Sequence, residues 1–352
     1  IDWEGDAESR TLIISSFQAD DGTEVGDISI TVLDLQGENP VIESTGRVSH
    51  IGSNDLEKSI RVVLEEIETD SLFDYGIFGK LGLEMSGNAL IDSYDSREGV
   101  YGGENVKDEG QIGTNATHYS ALFLRNNVEV NADALVGPGA LPLDVIVMQN
   151  SATINGEQTA LSEEKIFPPV IPPSNLPLRG DYIQGNNETA TISESGIYSS
   201  LIFQNNSKIS ITSDCVLYVT GEFTMLSNSQ LEIAEGVTLA LYLGGTFYQS
   251  SNSQINNLSQ DPTKVQIYGT ETFNSVMTWE SNSSFYGAIY VPDYTVLYNS
   301  NAEFYGSIIA EYVEIDSNAG LHYDMALIDL GSIYTTVTST YKIKSWQETI
   351  ED

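Results

Sequence analysis

A tripeptide recurs along this chain and limits what it can fold into more than any other feature. Ser227-Asn228-Ser229 returns as Ser251-Asn252-Ser253, Ser281-Asn282-Ser283, Ser300-Asn301-Ala302 and Ser317-Asn318-Ala319, with steps of 24, 30, 19 and 17 residues between the asparagines. Each copy sits just before or inside a short run rich in β-branched and aromatic residues. A repeated polar corner followed by a strand predicts a β-solenoid. Asparagine suits such corners because it tolerates the left-handed backbone, and its side chain bonds nearby backbone groups. Asparagines at one corner of successive coils, about 4.8 Å apart, can bond to each other as a ladder. The expected corner ladder is Asn228, Asn252, Asn282, Asn301 and Asn318. The alternative is a β-sandwich in which the Asn-Ser pairs are ordinary hairpin turns. The like sequence after successive pairs favours the solenoid.

Two of those following sequences match closely. Phe285-Tyr286-Gly287-Ala288-Ile289-Tyr290 aligns with Phe304-Tyr305-Gly306-Ser307-Ile308-Ile309. Phe285 and Phe304, and Ile289 and Ile308, are expected to stack inward, with Gly287 and Gly306 letting neighbouring coils press close. Looser corners occur earlier, at Ser86-Gly87-Asn88, Asn126-Asn127 and Asn150-Ser151. Between Tyr94 and His118 lies a Gly-rich polar insertion that reads as a surface loop. Residues 161–180 hold Pro168, Pro169, Pro172, Pro173 and Pro177, a cluster excluded from a ladder interior; it reads as a linker or as a strap along the coils. Residues 1–80 read as strands with polar turns; 55–68 fits a helix or a strand, and its β-branched run favours strand. The organisation expected is thus an all-β chain. An N-terminal sheet module (1–76) precedes a first β-helical segment (77–160), the Pro-rich segment (161–180), a main parallel β-helix (181–330) and C-terminal strands and tail (331–352).

Composition narrows the partners. The 352 residues carry 51 acidic and 14 basic side chains, a formal net charge of −37, although only 18% of residues are charged. The imbalance comes more from scarce Lys and Arg than from excess acid. Such a surface repels nucleic acid and anionic headgroups, so neither nucleic-acid binding nor membrane contact by these residues is expected. The lone Cys215 sits in an apolar run and reads as a small buried hydrophobe. No stretch approaches the ~18 apolar residues of a membrane span. The chain opens at Ile1-Asp2-Trp3 without Met, so an anchoring or targeting segment is expected to precede it in the gene product.

The segments Phe285-Tyr286-Gly287 with Ile289-Tyr290-Val291-Pro292, Asn301-Ala302-Glu303-Phe304-Tyr305-Gly306-Ser307-Ile308, and Ser317-Asn318-Ala319-Gly320-Leu321-His322-Tyr323-Asp324 resemble the β-helical C-terminal domain of PilX-like, type IV pilus-associated bacterial surface proteins. Leu321 and Met325 depart from that family's last motif, while Ala326-Leu327 keep it. The N-terminal part is similar too, through Ile42-Glu43-Ser44-Thr45-Gly46 and the stretch 75–92 with Ser86-Gly87-Asn88. The resemblance implies a secreted or surface-displayed, filament-associated protein anchored by an N-terminal pilin-like helix, with pilin or filament subunits as partners. It carries over no catalytic residue.

Candidate sites are few. His322-Tyr323-Asp324 is the one suggestive cluster: in an alternating strand His322 and Asp324 share a face and could pair, as a polar lock closing the last coil. No second His or Cys stands at zinc-ligand spacing from any of the three histidines, His50, His118 and His322. Calcium is the cation the acidic loops could take, at Asp20, Asp21, Glu24 and Asp27 or at Asp92 and Asp95, although neither follows a known calcium-loop pattern. Tyr290, Tyr294, Tyr298, Tyr305 and Tyr312 could form an outer stripe suited to glycan or protein adhesion, or could pack across strands. The sequence therefore points to a non-enzymatic structural or adhesive component of a bacterial cell surface or pilus-like filament, without cofactor and with self-association or a surface glycan as further partners. The rivals are a polysaccharide-active enzyme on the same scaffold, for which convergent acidic and basic groups are lacking in the sequence, and a calcium- or glycan-binding module.

Overall fold

The structure is a computed structural model. It describes residues 4–5, 8–18, 24–34, 39–48, 56–67, 71–270, 275–280, 282–299, 301–316, 318, 320–330 and 340–351. The chain is all-β and divides into two compact units, Ile1–Thr69 with Thr338–Asp352, and Asp70–Val337. No helix among the described residues is long and apolar enough to cross a membrane.

The first unit is a six-stranded antiparallel sheet in the order Glu4–Gly5, Ser9–Gln18, Glu24–Leu33, Val41–Val48, Leu56–Ile67 and Thr340–Glu351. Period-two alternation sorts its faces. Register aligns Val32, Ile42, Val62 and Trp346 across four strands on one face. The other face holds Thr11 against Thr31 (3.1 Å), Thr45 against Ser59 (2.8 Å) and the Arg47–Glu57 ion pair (2.8 Å). Within the ambiguous segment, Leu56–Ile67 is a strand. Of the C-terminal strands and tail expected over 331–352, Thr340–Glu351 is the sheet's last strand, and residues 331–339 and 352 lie outside the described residues.

In the second unit every pairing between named strands is parallel, along three ladders. The first ladder runs from residues 178–180 and 196–198 through Cys215–Val219, Leu239–Leu243, Val265–Gly269, 288–291, 307–310, 77–79, Gln111–Gly113 and Asp133–Val136 to Gln158–Ala160. The second runs from 181–184 through Phe223–Met225, Phe247–Gln249 and Ser275–Trp279 to Leu122–Leu124 and Ile146–Met148. The third begins with Thr189–Ile192, Lys208–Ile211, Gln230–Ile233 and Gln254–Asn257. It resumes at 285–286 and 304–305 and ends with Leu321–Asp324, Leu90–Tyr94, Glu129–Val130 and Thr153–Ile154. Gly196–Phe203 turns a corner and serves two ladders, and Phe285–Tyr298 serves all three. The pairings therefore close on themselves through eight strands.

Apolar side chains fill the space the ladders enclose. Phe203, Phe223, Phe247, Trp279, Phe285 and Phe304 form one aromatic column, with successive ring centroids 4.8 to 5.8 Å apart. All six are buried, each contributing about 1.5–3 kcal/mol through burial. Strand spacing sets two of those steps, because Phe223 and Phe247, and Phe285 and Phe304, are register partners on adjacent strands; the other steps join rings at different positions of the rungs.

The order of rungs is not the order of the chain. Ile77–Ser86 pairs with Phe304–Asp316, and Leu90–Tyr94 with Leu321–Asp324. Residues 77–160 thus carry the stack onward from where 304–324 leave it, and the two β segments separated in the sequence reading form one stack. The Pro-rich segment connects its opposite ends and packs along it. Phe167 meets Phe78 (4.9 Å), Pro168 O accepts from the Tyr290 hydroxyl (2.8 Å), and Val170 is buried. Beneath it lies a second apolar cluster that includes Ala240, Tyr242, Tyr268, Ala288, Tyr290 and Ile309. The Gly-rich insertion is shorter than its composition implied, because Gln111–Gly113 is a ladder strand; residues 95–110 are loop with two single 3-10 turns.

Candidate functional site

The third ladder carries the site on its outward side. Parallel pairing puts Tyr286, Tyr305, His322 and Asp92 at equivalent positions on four successive rungs. Tyr286 and Tyr305 stack at 4.3 Å and 5°. The His322 ring lies next, 4.9 Å from Tyr305, and Tyr101 from the 95–110 loop covers it at 3.8 Å. His322 Nδ1 is 2.5 Å from Asp92 Oδ1, and Nε2 is 3.1 Å from Glu303 Oε2. The Tyr101 hydroxyl donates to Asp92 Oδ2 (2.7 Å). Burial, then the hydrogen bond to the Asp92 carboxylate, pushes the Tyr101 hydroxyl up from its ordinary range. A ring protonated on both nitrogens makes both carboxylate bonds; a neutral ring makes one. Gly320 makes room for this: a Cβ there would lie 2.5 Å from His322 Nε2 and 2.7 Å from Glu303 Oε2.

His322 and Asp324 do not pair with each other. Residues two apart on a strand are about 6.6 Å apart, whereas lateral neighbours on adjacent strands are about 4.8 Å apart, so the lateral partner Asp92 wins. Asp324 forms a separate lock. Its Oδ1 accepts from Ser96 N (2.9 Å) and Ala326 N (3.1 Å), fixing the 95–110 loop and capping the turn Met325–Asp329. Its Oδ2 is buried without a partner, and burial raises its pKa. Asp95 is bound to Arg97 through both carboxylate oxygens (2.8 and 2.7 Å), which holds it below the usual carboxylate range. Asp92 and Asp95 therefore do not converge on a cation. Asp20 and Asp21 lie outside the described residues; Glu24 and Asp27 lie in the strand Glu24–Leu33, with Asp27 opposite Arg47. Among the described residues no group of three or more His, Cys, Asp or Glu is arranged to hold a metal.

The corner asparagines divide into two kinds. Asn228 and Asn252 adopt the left-handed backbone, both at φ 59°. Asn282, Asn301 and Asn318 bond through their amides, Asn301 to Asn282 (3.4 Å) and Asn318 to Asn301 (2.9 Å). The run continues through Asn88 to Asn318 (2.8 Å) and Asn127 to Asn88 (3.0 Å), across a rung junction that is remote in sequence. The register aligns Phe285 with Phe304, Gly287 with Gly306 and Ile289 with Ile308. Gly306 has φ +143°, and a Cβ there would overlap the Gly287 carbonyl oxygen.

Other groups read as packing. Tyr290, Tyr294 and Tyr298 are buried, and Tyr305 and Tyr312 are half-buried, so these five make no exposed stripe. Cys215 is a buried free thiol whose pKa burial pushes up to about 11. His118 is exposed, and His50 lies outside the described residues. A cleft of ≈ 400 Å³ lies beside Asp92, lined by Lys107, Asp108, Asn131, Asp133 and Asn155. A second, of ≈ 520 Å³, lies between the Pro-rich segment and Lys80, where Lys80 and Lys165 are paired with Asp293 and Asp74.

Residues 177–330 match a family described as "Domain of unknown function (DUF7305)". The match covers the winding from the end of the Pro-rich segment to the last turn, and leaves out residues 77–160. The competence-associated pilin ComZ from Thermus thermophilus is a structural neighbour at 10% identity, covering 97% of this chain and 88% of that one, with a TM-score of 0.25; a superposition that loose carries no argument. No curated protein matches.

Proposed function

We propose that this chain is a non-enzymatic structural or adhesive component of a bacterial cell surface or type IV pilus-like filament, built on a parallel β-helix. The observation that carries the reading is how the most reactive-looking cluster is used. His322 meets carboxylates at both ring nitrogens, lies under Tyr101, and ties residues 92, 101 and 303 from three separate parts of the chain to one point. Its chemistry is spent on holding rungs together. Three parallel ladders with columns of like residues support the β-helix. The net charge of −37 and the PilX-like motifs at 285–324 support display outside the cell, with filament subunits or a surface glycan as partners.

Immunogold labelling of intact cells making the full gene product tests this. Label on the surface or along filaments is expected; label seen only after lysis overturns it. Release of reducing or unsaturated ends from polyuronides by the purified chain would replace it with the enzymatic reading.

A further inference from the structure

We propose that copies of this chain join head to tail, the strand edge at residues 178–192 of one copy seating on the edge at residues 146–160 of the next. Both edges are open. No described strand pairs with the outer side of Leu178–Gln184 and Thr189–Ile192, or of Ile146–Met148, Thr153–Ile154 and Gln158–Ala160. Open edges carry unpaired N–H and C=O groups that template another strand. The interior is also incompletely covered there. Met148 is the lateral neighbour of fully buried Leu124, yet it is 42% exposed because no rung follows. Tyr182, neighbour of fully buried Leu201, is half-buried at the other edge.

The asparagine bonds between rungs favour one pairing of edges, although the Gln230 amide donates the opposite way, to Gln254 (3.2 Å). Asn206 donates to Asn187 (3.3 Å), Asn301 to Asn282, Asn318 to Asn301, Asn88 to Asn318, Asn127 to Asn88, and Asn150 to Asn126 (2.9 Å). Each of these bonds points its donor toward the 178–192 edge. Asn187 there is left with a free Nδ2 donor, and Asn150 at the other edge with a free Oδ1 acceptor. A head-to-tail joint brings donor to acceptor and keeps all strands parallel, continuing the contact already made at every internal rung. Two 146–160 edges face to face would set carbonyl oxygen against carbonyl oxygen.

Two features shape the joint. The first ladder both opens the stack, at 178–180, and closes it, at Gln158–Ala160, so one strand is surplus there. The 178–180 segment is bulged at Gly180 (φ +71°), and Leu178 is 82% exposed, so this segment is the one placed to move aside. Exposed Asp181 and Glu188 would approach exposed Asp144 and Glu157, so the joint needs screening by salt. The inference rests on the coil stacking of the reading above and not on surface location, so it can fail while the labelling result stands, and the reverse.

Sedimentation velocity and electron microscopy of the full chain test it, at low ionic strength and at about 1 M salt, where the screening length is about 3 Å. Oligomers longer than dimers are expected in high salt. Met148→Lys and Asn187→Lys block opposite edges: each alone should be monomeric, and an equimolar mixture should give dimers and nothing longer. Leu258→Lys, on the exposed flank, should assemble like the parent. If Met148→Lys shifts the thermal transition, Asn150→Arg replaces it at the same edge. A parent chain that stays monomeric in all salt overturns the proposal. So do dimers that Met148→Lys abolishes and mixing fails to restore, since these would mark a face-to-face joint.

Discussion

In the antiparallel unit each strand pairs with its predecessor in the chain, apart from Thr340–Glu351, which returns to Leu56–Ile67. In the parallel unit the joins that complete the stack link residues more than 200 positions apart, such as Asn88 with Asn318 and His322 with Asp92. The antiparallel sheet is a single layer held by cross-strand pairs, many of them exposed. The stack is held by columns of buried side chains and by polar bonds that cross rungs. A lesion in the sheet should therefore stay local, whereas a lesion at a rung contact removes something from the rungs on both sides. Loop-closure entropy is spent on the remote joins before they return any contact, so the stack should also fold more slowly.

Glycine substitution separates the two regions most sharply. Gly306→Ala combines a positive φ with overlap onto the Gly287 carbonyl, and should cost about 4 kcal/mol. Gly46→Ala in the sheet meets nothing within 4 Å and should stay within about 0.5 kcal/mol. Urea titration followed by hydrogen exchange in each unit checks both, and equal effects would break the comparison.

Next in size is the loss of polar locks. His322→Ala leaves buried Asp92 without its imidazole, and should cost about 3 kcal/mol. Arg47→Ala removes an exposed ion pair and should cost less than about 1 kcal/mol, less still in high salt. Denaturation midpoints of both variants at two salt concentrations give the answer.

The smallest effect is pH-dependent. Burial raises the Asp324 pKa in the fold above its ordinary value of 3.8, so the folded chain holds a proton that the unfolded chain releases. Stability from this group is present below 3.8 and declines as pH rises toward the raised folded pKa. Asp324→Asn keeps an acceptor for Ser96 N and Ala326 N, so it should gain on the parent as pH rises through that window. Asp95 has the opposite sign: Arg97 lowers its pKa, so its contribution is present above 3.8 and is lost as pH falls toward the lowered folded pKa. Stability curves of Asp324→Asn and Asp95→Asn that bend the same way would contradict both assignments.

What was legible in the sequence was local. Alternation in Ile28-Ser29-Ile30-Thr31-Val32 gives the strand, and the recurring Ser-Asn gives corners, since both follow from backbone preferences of a few residues. Rung order was not legible, because rungs carry near-equivalent sequences and any one could follow any other. That is why Asn88 and Asn127 were not assigned to the ladder with Asn318, and why Asp92 was not seen as the partner of His322. Tyr290 shows the same limit: its alternation marks an outward position, and only the Pro-rich segment laid across it makes it buried.

The central claim is that residues 77–94 seat on residues 304–324. It is tested most directly by placing cysteines at Asn88 and Asn318 in a Cys215→Ala background and oxidising the folded chain. Lateral neighbours at this spacing suit a disulfide, whose Cα atoms lie about 4.4–6.8 Å apart. Rapid, near-complete formation of the 88–318 bond, read by mass spectrometry of the digested chain, is expected. Thiols that remain free in the folded protein, while the same pair oxidises no faster than in urea, would contradict it.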